Sequence, residues 1–367
     1  MVLPEWDGEL TSVRHDPETG AWFVIGVHST RLGPASGGTR AMVYDGVADA
    51  VADARRLAGA MTLKMAAAGL PMGGGKSVIA LPAPRAELDD ATWRRILELH
   101  AANLTLLGGN YTTGPDVGTN ASDMDVLRTL TPHVFGRSTA AGGPGSSAPM
   151  TALGVFAAIE AGVAEAGLDG IEGLRVLVQG LGAVGADVAR LAARAGAKLI
   201  VADVDPLRCA TAAEDLGAEV IGTGDVLARE CDVLVPCATG GLLSPVTAAT
   251  VPCTVIAGAA NNLLTDTATD TAAAEVLRRR GIVYAPDFVA NAGGAVHLVG
   301  REVLGWSAGH VADRTRAIGD TLAEVFTDAR EHGVTTVAAA EWVAARALSN
   351  GNPSNGNLSH GPEGAQR

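Results

Sequence analysis

The second half of the chain alternates short apolar runs with longer stretches in which apolar and polar positions are mixed. Five of the runs are almost continuously apolar, and they lie in the segments RVLVQG, AKLIVADVD, CDVLVPCA, CTVIAGAA and GIVYAPD. Such runs are typical of parallel strands that are covered by helices on both faces. The pattern predicts a doubly wound parallel sheet, preceded by a helix over residues 151–166.

The first 135 residues follow a different pattern. An apolar, β-rich segment over residues 21–28 predicts a buried strand. Mixed patterns without proline over residues 45–65 and 89–107 predict two helices. Three glycine-rich stretches predict loops, of which the second is followed by a strand-like SVIALP. These loops cover residues 33–40, 69–76 and 111–119.

These patterns predict an α/β protein with two domains and a cleft between them. We expect the first domain over residues 1–135 and the second over residues 136–324, joined by small, flexible residues at 137–149 that suit a hinge. The helical pattern near 308–348 is expected to return to the first domain through a helix at about 325–348. Residues 350–367 lack apolar periodicity and are predicted to be disordered.

Composition narrows the class of protein. A length of 367 residues suits two domains, and a net charge of −13 opposes nonspecific binding to nucleic acid or anionic membranes. No long uncharged apolar stretch or signal pattern is found, so we expect a cytoplasmic protein of the size of an enzyme. The four cysteines have no metal-ligand spacing, so no metal is expected. They are Cys209, Cys231, Cys237 and Cys253.

A glycine fingerprint joins the first two strands of the predicted parallel sheet. Gly180 suits a tight turn, Gly182 allows backbone to approach a pyrophosphate, and Gly185 allows close packing of helix on strand. The following helix presents its N-terminus to the phosphates. Asp203 ends the second strand and suits the ribose hydroxyls, which favours NAD, although Arg208 keeps NADP open as an alternative.

Lysine is rare in this chain, which has 24 Arg and only three Lys. Lys64 and Lys76 lie in one apolar, glycine-rich stretch, and the third is Lys198. A lysine that faces such a pocket, beside a second cation, has a lowered pKa and suits a general base, while its neighbour can bind an anionic substrate group. Asp116 is a candidate partner carboxylate. Two solvated lysines and a simple turn aspartate are the structural alternatives.

Together these segments resemble the glutamate/leucine/phenylalanine/valine dehydrogenase family of amino acid dehydrogenases. The matching stretches run from about residue 21 to 345, and they include HSTRLGPASGGTR, GAMTLKMAAAGLPMGGGKSVIA, TTGPDVGTNASDMD, VIAGAANN and GIVYAPDFVANAGGA. The resemblance implies an N-terminal α/β substrate domain and a Rossmann-type NAD-binding domain. It also implies oxidative deamination, in which hydride transfer gives an imine that water converts to 2-oxo acid and ammonia.

The resemblance assigns substrate roles by position. Lys64 matches the lysine that binds the substrate carboxylate, Lys76 the general base, and Asp116 the aspartate that handles protons on the amine. Gly37 and Gly38 match a loop whose backbone lines the substrate.

The resemblance assigns cofactor roles in the same way. Thr151 matches a threonine near the cofactor amide, and Ala260, Asn261 and Asn262 match the loop beside the nicotinamide ribose and the substrate. The other residues that we assign to the cofactor site are Ala183, Val184, Cys237 and Ala238.

Three positions with small side chains suggest which amino acid is the substrate. The resemblance implies that branched-chain enzymes of the family have a larger residue at the positions of Gly114, Ala295 and Ser36. Leu298 is also assigned to the pocket. The added space favours phenylalanine over leucine or valine, since one methylene is worth about 1–3 kcal/mol of discrimination. A glutamate enzyme needs another basic group, and no further lysine is at hand, although an arginine would serve.

Several alternatives remain open at this point. A leucine or valine dehydrogenase of the same family is the nearest one. A 2-hydroxy-acid dehydrogenase would use a catalytic histidine, for which no setting is evident, and a silent NAD-binding sensor would have lost the lysines and Asp116. The expected partners are a small-molecule substrate and further copies of the chain in a homo-oligomer.

Overall fold

The computed structural model describes residues 6–265 and 270–351. Its first part contains a five-stranded sheet and three helices, whereas its second part contains a six-stranded sheet and ten helices in the described ranges. The predicted α/β class is therefore confirmed.

The first sheet has helices on both faces. Its strands are ordered β1-β2-β4-β3-β5; β1, β2 and β4 pair antiparallel, and β3 pairs parallel with β4 and β5. Phe23 and Ile25 pack toward the second helix, while Val24 packs toward the first, as expected of alternating positions in a buried strand. The elements are β1 (Leu10–His15), β2 (Trp22–Ser29), β3 (Ala35–Met42), α1 (Val47–Ala67), β4 (Gly73–Ala80), α2 (Asp90–Leu106), β5 (Tyr111–Pro115) and α3 (Ala121–Leu130).

The three predicted glycine-rich loops are wrong in large part, because each of them overlaps a strand. β3 begins inside the first, β4 begins inside the second, and β5 lies entirely inside the third. The glycines are needed for close approach: a Cβ on Gly74 would lie 2.1 Å from the Thr62 nitrogen of α1, and one on Gly37 would lie 1.8 Å from the Gly75 oxygen.

The second sheet is entirely parallel, and its strands are ordered β11-β10-β9-β6-β7-β8. Counted along the chain this is the order 3-2-1-4-5-6, which confirms the predicted Rossmann-type sheet. The elements up to β9 are α4 (Ala148–Glu165), β6 (Arg175–Gln179), α5 (Ala183–Arg194), β7 (Lys198–Ala202), α6 (Pro206–Leu216), β8 (Glu219–Val220) and β9 (Val233–Pro236).

The remaining elements complete the second sheet and cover it. They are α7 (Pro245–Ala248), β10 (Val255–Ile256), α8 (Asp270–Arg279), β11 (Val283–Tyr284), α9 (Asp287–Ala290), α10 (Gly293–Glu302), α11 (Ala308–Arg316), α12 (Ile318–His332) and α13 (Thr336–Asn350). The predicted strands all form, but β8 was not predicted because its two residues are exposed and form no apolar run. The predicted tail lies outside the described residues from position 352 onward.

Two helices near the C-terminus connect the two parts of the molecule. α12 packs on α4 beside the second sheet, and α13 packs on both α12 and α1 beside the first. The predicted domain limits and the hinge stay predictions; residues 137–149 contain one short 3-10 turn, Thr139–Ala141, and the start of α4.

Among the described helices, α4 alone is long and apolar enough to span a membrane by length and composition. Half of it is buried, and it packs on α5, α10, α11 and α12. We therefore interpret α4 as a core helix.

Candidate active site

A cavity of about 440 Å³ lies between the two sheets, within the usual size range of small-molecule sites. Both parts of the chain contribute to its walls. The predicted substrate residues that line it are Gly37, Gly38, Lys64, Lys76, Asp116, Asn261, Ala295 and Leu298.

Lys76 and Asp116 form an ion pair in this cavity. Lys76 projects from β4 and its side chain is only 8% exposed, whereas Asp116 follows β5 and is 20% exposed. Burial lowers the pKa of Lys76, and the attraction of Asp116 only partly opposes this effect. Burial alone raises the pKa of Asp116, but Lys76 and Arg40 outweigh it and lower that pKa. The pair thus joins a lysine whose ammonium group gives up its proton more readily than usual to a carboxyl group that ionises more readily than usual.

Lys64 lies near the end of α1 and faces the second sheet. Its Nζ donates to Oδ1 of Asn261 at 3.3 Å, and Nδ2 of Asn291 donates to the same oxygen at 2.7 Å. Burial lowers the pKa of Lys64, Asp287 raises it, and Lys76 lowers it further. One ammonium group is therefore held against the loop after β10, where it can bind a substrate carboxylate.

Four polar residues behind this pair were missed by the sequence analysis. Arg40 lies between Asp116 and Asp53, and Tyr44 and Arg56 donate to Asp53. The signal was available in part, because Arg40 is two residues after Gly38 and residues two apart share one face of a strand. The prediction of a loop over residues 33–40 hides this alternation.

The rest of the cavity is mostly apolar, and two predicted wall positions require a correction. Gly114 does not line the cavity, because the volume of a side chain there is occupied by Phe135, whose Cε2 would lie 2.3 Å from an added Cβ. Phe135 itself lines the cavity. Ser36 is fully buried in β3 and does not line it either. The apolar lining residues include Leu57, Ala60, Met61, Phe135, Phe288, Ala295, Leu298 and Val299.

The glycine fingerprint forms a cradle at the N-terminus of α5. Gly180 has φ +90° and touches Ala238 after β9, and a Cβ on Gly185 would lie 1.8 Å from the Gly180 oxygen. A Cβ on Gly182 would meet no atom within 4 Å. Open space therefore faces free backbone N–H groups at the switch point between β6 and β9, which fits the pyrophosphate of a dinucleotide.

Asp203 lies at the end of β7 and its side chain is 6% exposed. Its carboxylate accepts from the Leu181 nitrogen at 2.5 Å and the Asp205 nitrogen at 2.8 Å. Burial raises the pKa of Asp203, but these hydrogen bonds and Arg208 outweigh burial and lower it. Arg208 pairs with Asp203 at 3.8 Å and with Asp205 at 3.3 Å.

The other predicted cofactor residues lie in three places: beside this cradle, in the loop after β10, and in α4. Ala183 and Val184 begin α5, while Cys237 and Ala238 follow β9, and burial raises the pKa of Cys237 to about 11. Asn261 and Asn262 line the cavity, and Ala260 precedes them in the same loop. Thr151 lies in α4, where its hydroxyl donates to the Ser147 oxygen at 3.1 Å, and it does not line the cavity.

The chain matches known proteins over nearly its whole length. The family model described as Glu/Leu/Phe/Val dehydrogenase, dimerisation domain, matches residues 18–133. The model described as Glutamate/Leucine/Phenylalanine/Valine dehydrogenase matches residues 142–206 and 207–356.

Individual relatives carry different substrate names. Leucine dehydrogenase of Geobacillus stearothermophilus is 38% identical over 343 residues, covering 93% of this chain and 91% of that protein. Phenylalanine dehydrogenase of Lysinibacillus sphaericus is 36% identical over 332 residues, covering 89% and 84%. The crystal structure of L-tryptophan dehydrogenase from Nostoc punctiforme has a TM-score of 0.82 at 32% identity, covering 94% of this chain and 96% of that one.

Proposed function

Because the chain belongs to the Glu/Leu/Phe/Val dehydrogenase family, and is an amino acid dehydrogenase, we propose that it catalyses the reversible NAD-dependent oxidative deamination of L-phenylalanine to phenylpyruvate and ammonia. The observation that carries the proposal is the buried Lys76–Asp116 pair, which faces Lys64 across an apolar cavity beside the glycine cradle.

In the proposed reaction Lys64 binds the substrate carboxylate and holds Cα toward the cradle, which is the positional part of catalysis. Bound NAD would supply the hydride acceptor. Lys76, whose lowered pKa makes it a better base near neutral pH, accepts a proton from the water that attacks Cα. Asp116 accepts or returns protons at the amine nitrogen. Only 8% of the Lys76 side chain is exposed, so little bulk water reaches the proposed base.

The lining of the cavity supports an apolar side chain on the substrate. Two arginines do line it, Arg40 and Arg56, but both form ion pairs with Asp53 and are therefore engaged rather than available for a distal carboxylate. Ala295 and Leu298 line the cavity together with Phe135, and the small side chain of Ala295 is the feature of this wall that supports phenylalanine. The second candidate is leucine, favoured by the 38% identity to a leucine dehydrogenase.

NAD is proposed over NADP on electrostatic grounds. Dehydrogenases of this family depend on NAD or NADP. The carboxylates of Asp203 and Asp205 lie where a 2′-phosphate would have to approach, and Arg208 is already paired with both of them. A homo-oligomer is also proposed, since residues 18–133 match a family model described as a dimerisation domain.

A substrate panel tests the function. Purified protein is incubated with NAD or NADP and L-phenylalanine, L-leucine, L-valine, L-tryptophan or L-glutamate, and the reduced cofactor is followed by absorbance. We expect the highest kcat/KM for phenylalanine with NAD. A higher kcat/KM for leucine would show that leucine, not phenylalanine, is the preferred substrate. Absence of turnover with all five amino acids would contradict the proposed function.

Substitution of the proposed base tests the assignment of roles. Lys76→Met should abolish nearly all turnover while the affinity for NAD, measured by fluorescence titration, stays unchanged. The matched control is Lys198→Met, because Lys198 is exposed at the start of β7. Wild-type turnover in Lys76→Met would show that another group is the base.

A further inference from the structure

A chain of charged groups extends from the Lys76–Asp116 pair toward the protein surface. Arg40 on β3 uses two different nitrogens: its Nη1 donates to Oδ2 of Asp53 at 2.9 Å, and its Nε lies 3.5 Å from Oδ2 of Asp116. Tyr44 donates its hydroxyl to the same Asp53 oxygen at 2.8 Å. The Arg40 guanidinium thus hydrogen-bonds to Asp53 and attracts Asp116 by charge, without a hydrogen bond to it.

Asp53 is held firmly on α1. Its second oxygen, Oδ1, accepts from Nη2 of Arg56 at 2.7 Å, so both carboxylate oxygens have donors. The side chains of Asp53 and Arg40 are only 16% and 20% exposed. Such shielding makes charged hydrogen bonds stronger and geometrically more specific than surface ion pairs.

We propose that Arg40, anchored by Asp53, is a positioning residue that fixes the Asp116 carboxylate beside Lys76 and favours loss of the Lys76 proton. This inference rests on the proposed function, in which Lys76 is the base. Arginine cannot release a proton in a protein, so Lys76 is the one cation of the Arg40–Asp53–Arg56–Asp116–Lys76 group that can become neutral.

The signs of the electrostatic effects follow from the charges. Arg40 acts to lower the pKa of Lys76, while Asp53 and Asp116 act to raise it. Removing Arg40 should therefore move the Lys76 titration to higher pH, and removing the charge of Asp53 should move it to lower pH. The charged or titratable groups that face this region from α1, β3 and the segments after β3 and β5 are Arg40, Tyr44, Asp53, Arg56, Lys64 and Asp116. Asp287 on α9 and Glu341 on α13 line the same cavity from the other side.

The scarcity of lysine makes a direct measurement practical. Protein labelled with ε-¹³C lysine should give three side-chain NMR signals, from Lys64, Lys76 and Lys198. Lys76→Arg identifies the signal of interest, and exposed Lys198 serves as an internal reference. The same variants are assayed for kcat and for the pH dependence of kcat/KM.

Three variants separate charge from geometry. We expect Arg40→Gln to raise the pH of the Lys76 titration midpoint and of the acidic limb of kcat/KM, and Asp53→Asn to lower both. Arg40→Lys keeps the charge but has a single nitrogen for two carboxylates. In this variant the Lys76 titration midpoint should stay near the wild-type value. Its kcat should fall about 10–100-fold, which is the usual effect of displacing a catalytic group.

Controls distinguish positioning from general damage. Asp49→Asn changes an exposed carboxylate one turn earlier on α1, and Arg94→Gln breaks a surface pair with Glu98 on α2; neither should move the midpoint. If Asp53→Asn does not fold, Tyr44→Phe removes one donor to Asp53 without changing charge. It should lower kcat and leave the midpoint in place.

The outcomes separate this inference from the proposed function. Midpoints that do not move, or that move in the same direction in Arg40→Gln and Asp53→Asn, would overturn the positioning role, as would a wild-type kcat in Arg40→Lys. Failure of the wild-type protein to oxidise any amino acid would instead contradict the proposed function, while the NMR titration would still report whether Arg40 and Asp53 control Lys76.

Discussion

A single methyl group added to β5 should change which amino acid the cavity accepts. In Gly114→Ala the new Cβ would lie 2.3 Å from Cε2 and 2.8 Å from Cδ2 of Phe135, far inside van der Waals contact. The backbone of Phe135 cannot simply retreat, because its nitrogen donates to the Thr113 oxygen at 2.8 Å. The ring must therefore rotate, and the cavity that it lines is the open space beside it.

The magnitude follows from the cost of overpacking and from the volume lost to substrate. Extra methyl groups in a packed region cost about 1–3 kcal/mol of folding free energy. A change of one methylene in an apolar pocket alters discrimination by about 1–3 kcal/mol, which is roughly 10–200-fold in kcat/KM. We expect Gly114→Ala to lower kcat/KM for phenylalanine by that factor and to affect the smaller leucine less.

The assay compares kcat/KM for phenylalanine and leucine in the wild type, Gly114→Ala and the double variant Gly114→Ala/Phe135→Leu. The double variant removes the ring that the methyl group displaces, so it should recover much of the lost activity toward phenylalanine. Thermal unfolding of each variant reports the folding cost separately. An unchanged phenylalanine-to-leucine ratio in Gly114→Ala would refute the reasoning, as would a double variant no better than the single one.

Further predictions concern the cofactor cradle, the cleft and the core. Gly182→Ala should leave the free energy of unfolding nearly unchanged but weaken NAD binding at least about tenfold, whereas Gly185→Ala should lower stability in denaturant titrations, since its Cβ meets backbone at 1.8 Å. Asn261→Ala removes the 3.3 Å bond to Lys64 and should raise KM for the amino acid about tenfold, with unchanged KM arguing against that contact. Burial lowers the pKa of His100 to about 3 in the folded chain, whereas the pKa of an unfolded histidine is about 6.5. Between these two pH values the unfolded chain binds a proton that the folded chain does not. His100 should therefore lower the free energy of unfolding by about 1.4 kcal/mol for each pH unit from about 6.5 down to about 3. Difference titrations against His100→Gln should show this slope lost in the variant, and equal slopes would contradict it.

The sequence predicted the second sheet better than the first for a physical reason. Buried parallel strands such as β6 and β9 are continuous apolar runs, and such runs need no tertiary context to be detected. β3 and β5 contain glycines that ordinarily disfavour strands. Here the glycines serve close contacts, with Gly37 against β4 and Gly114 against Phe135, which only the assembled fold makes evident.

Residues of the candidate site could be predicted from the sequence where their residue type is rare in the chain, and could not be predicted where it is common. Lys64 and Lys76 stand out among 24 arginines, and the structure places both in one cavity with Asp116. Arg40 is one of many arginines and Asp53 lies 63 residues before Asp116 in the sequence, so nothing in their spacing marks them as one network. Their relation depends on how α1 lies across the first sheet.

The polypeptide passes between its two sheets twice, once through residues 131–147 into α4 and once from α12 into α13, which packs on α1. Two connections restrict the relative motion of the two sheets more than one would, because sliding or twisting of one sheet against the other would stretch at least one connection. We therefore expect any change in the width of the cleft to be a swing about the line that joins the two connections. Such a swing would carry Asn261 along a fixed arc toward or away from Lys64, so a substrate would meet the same assembled pocket at every turnover.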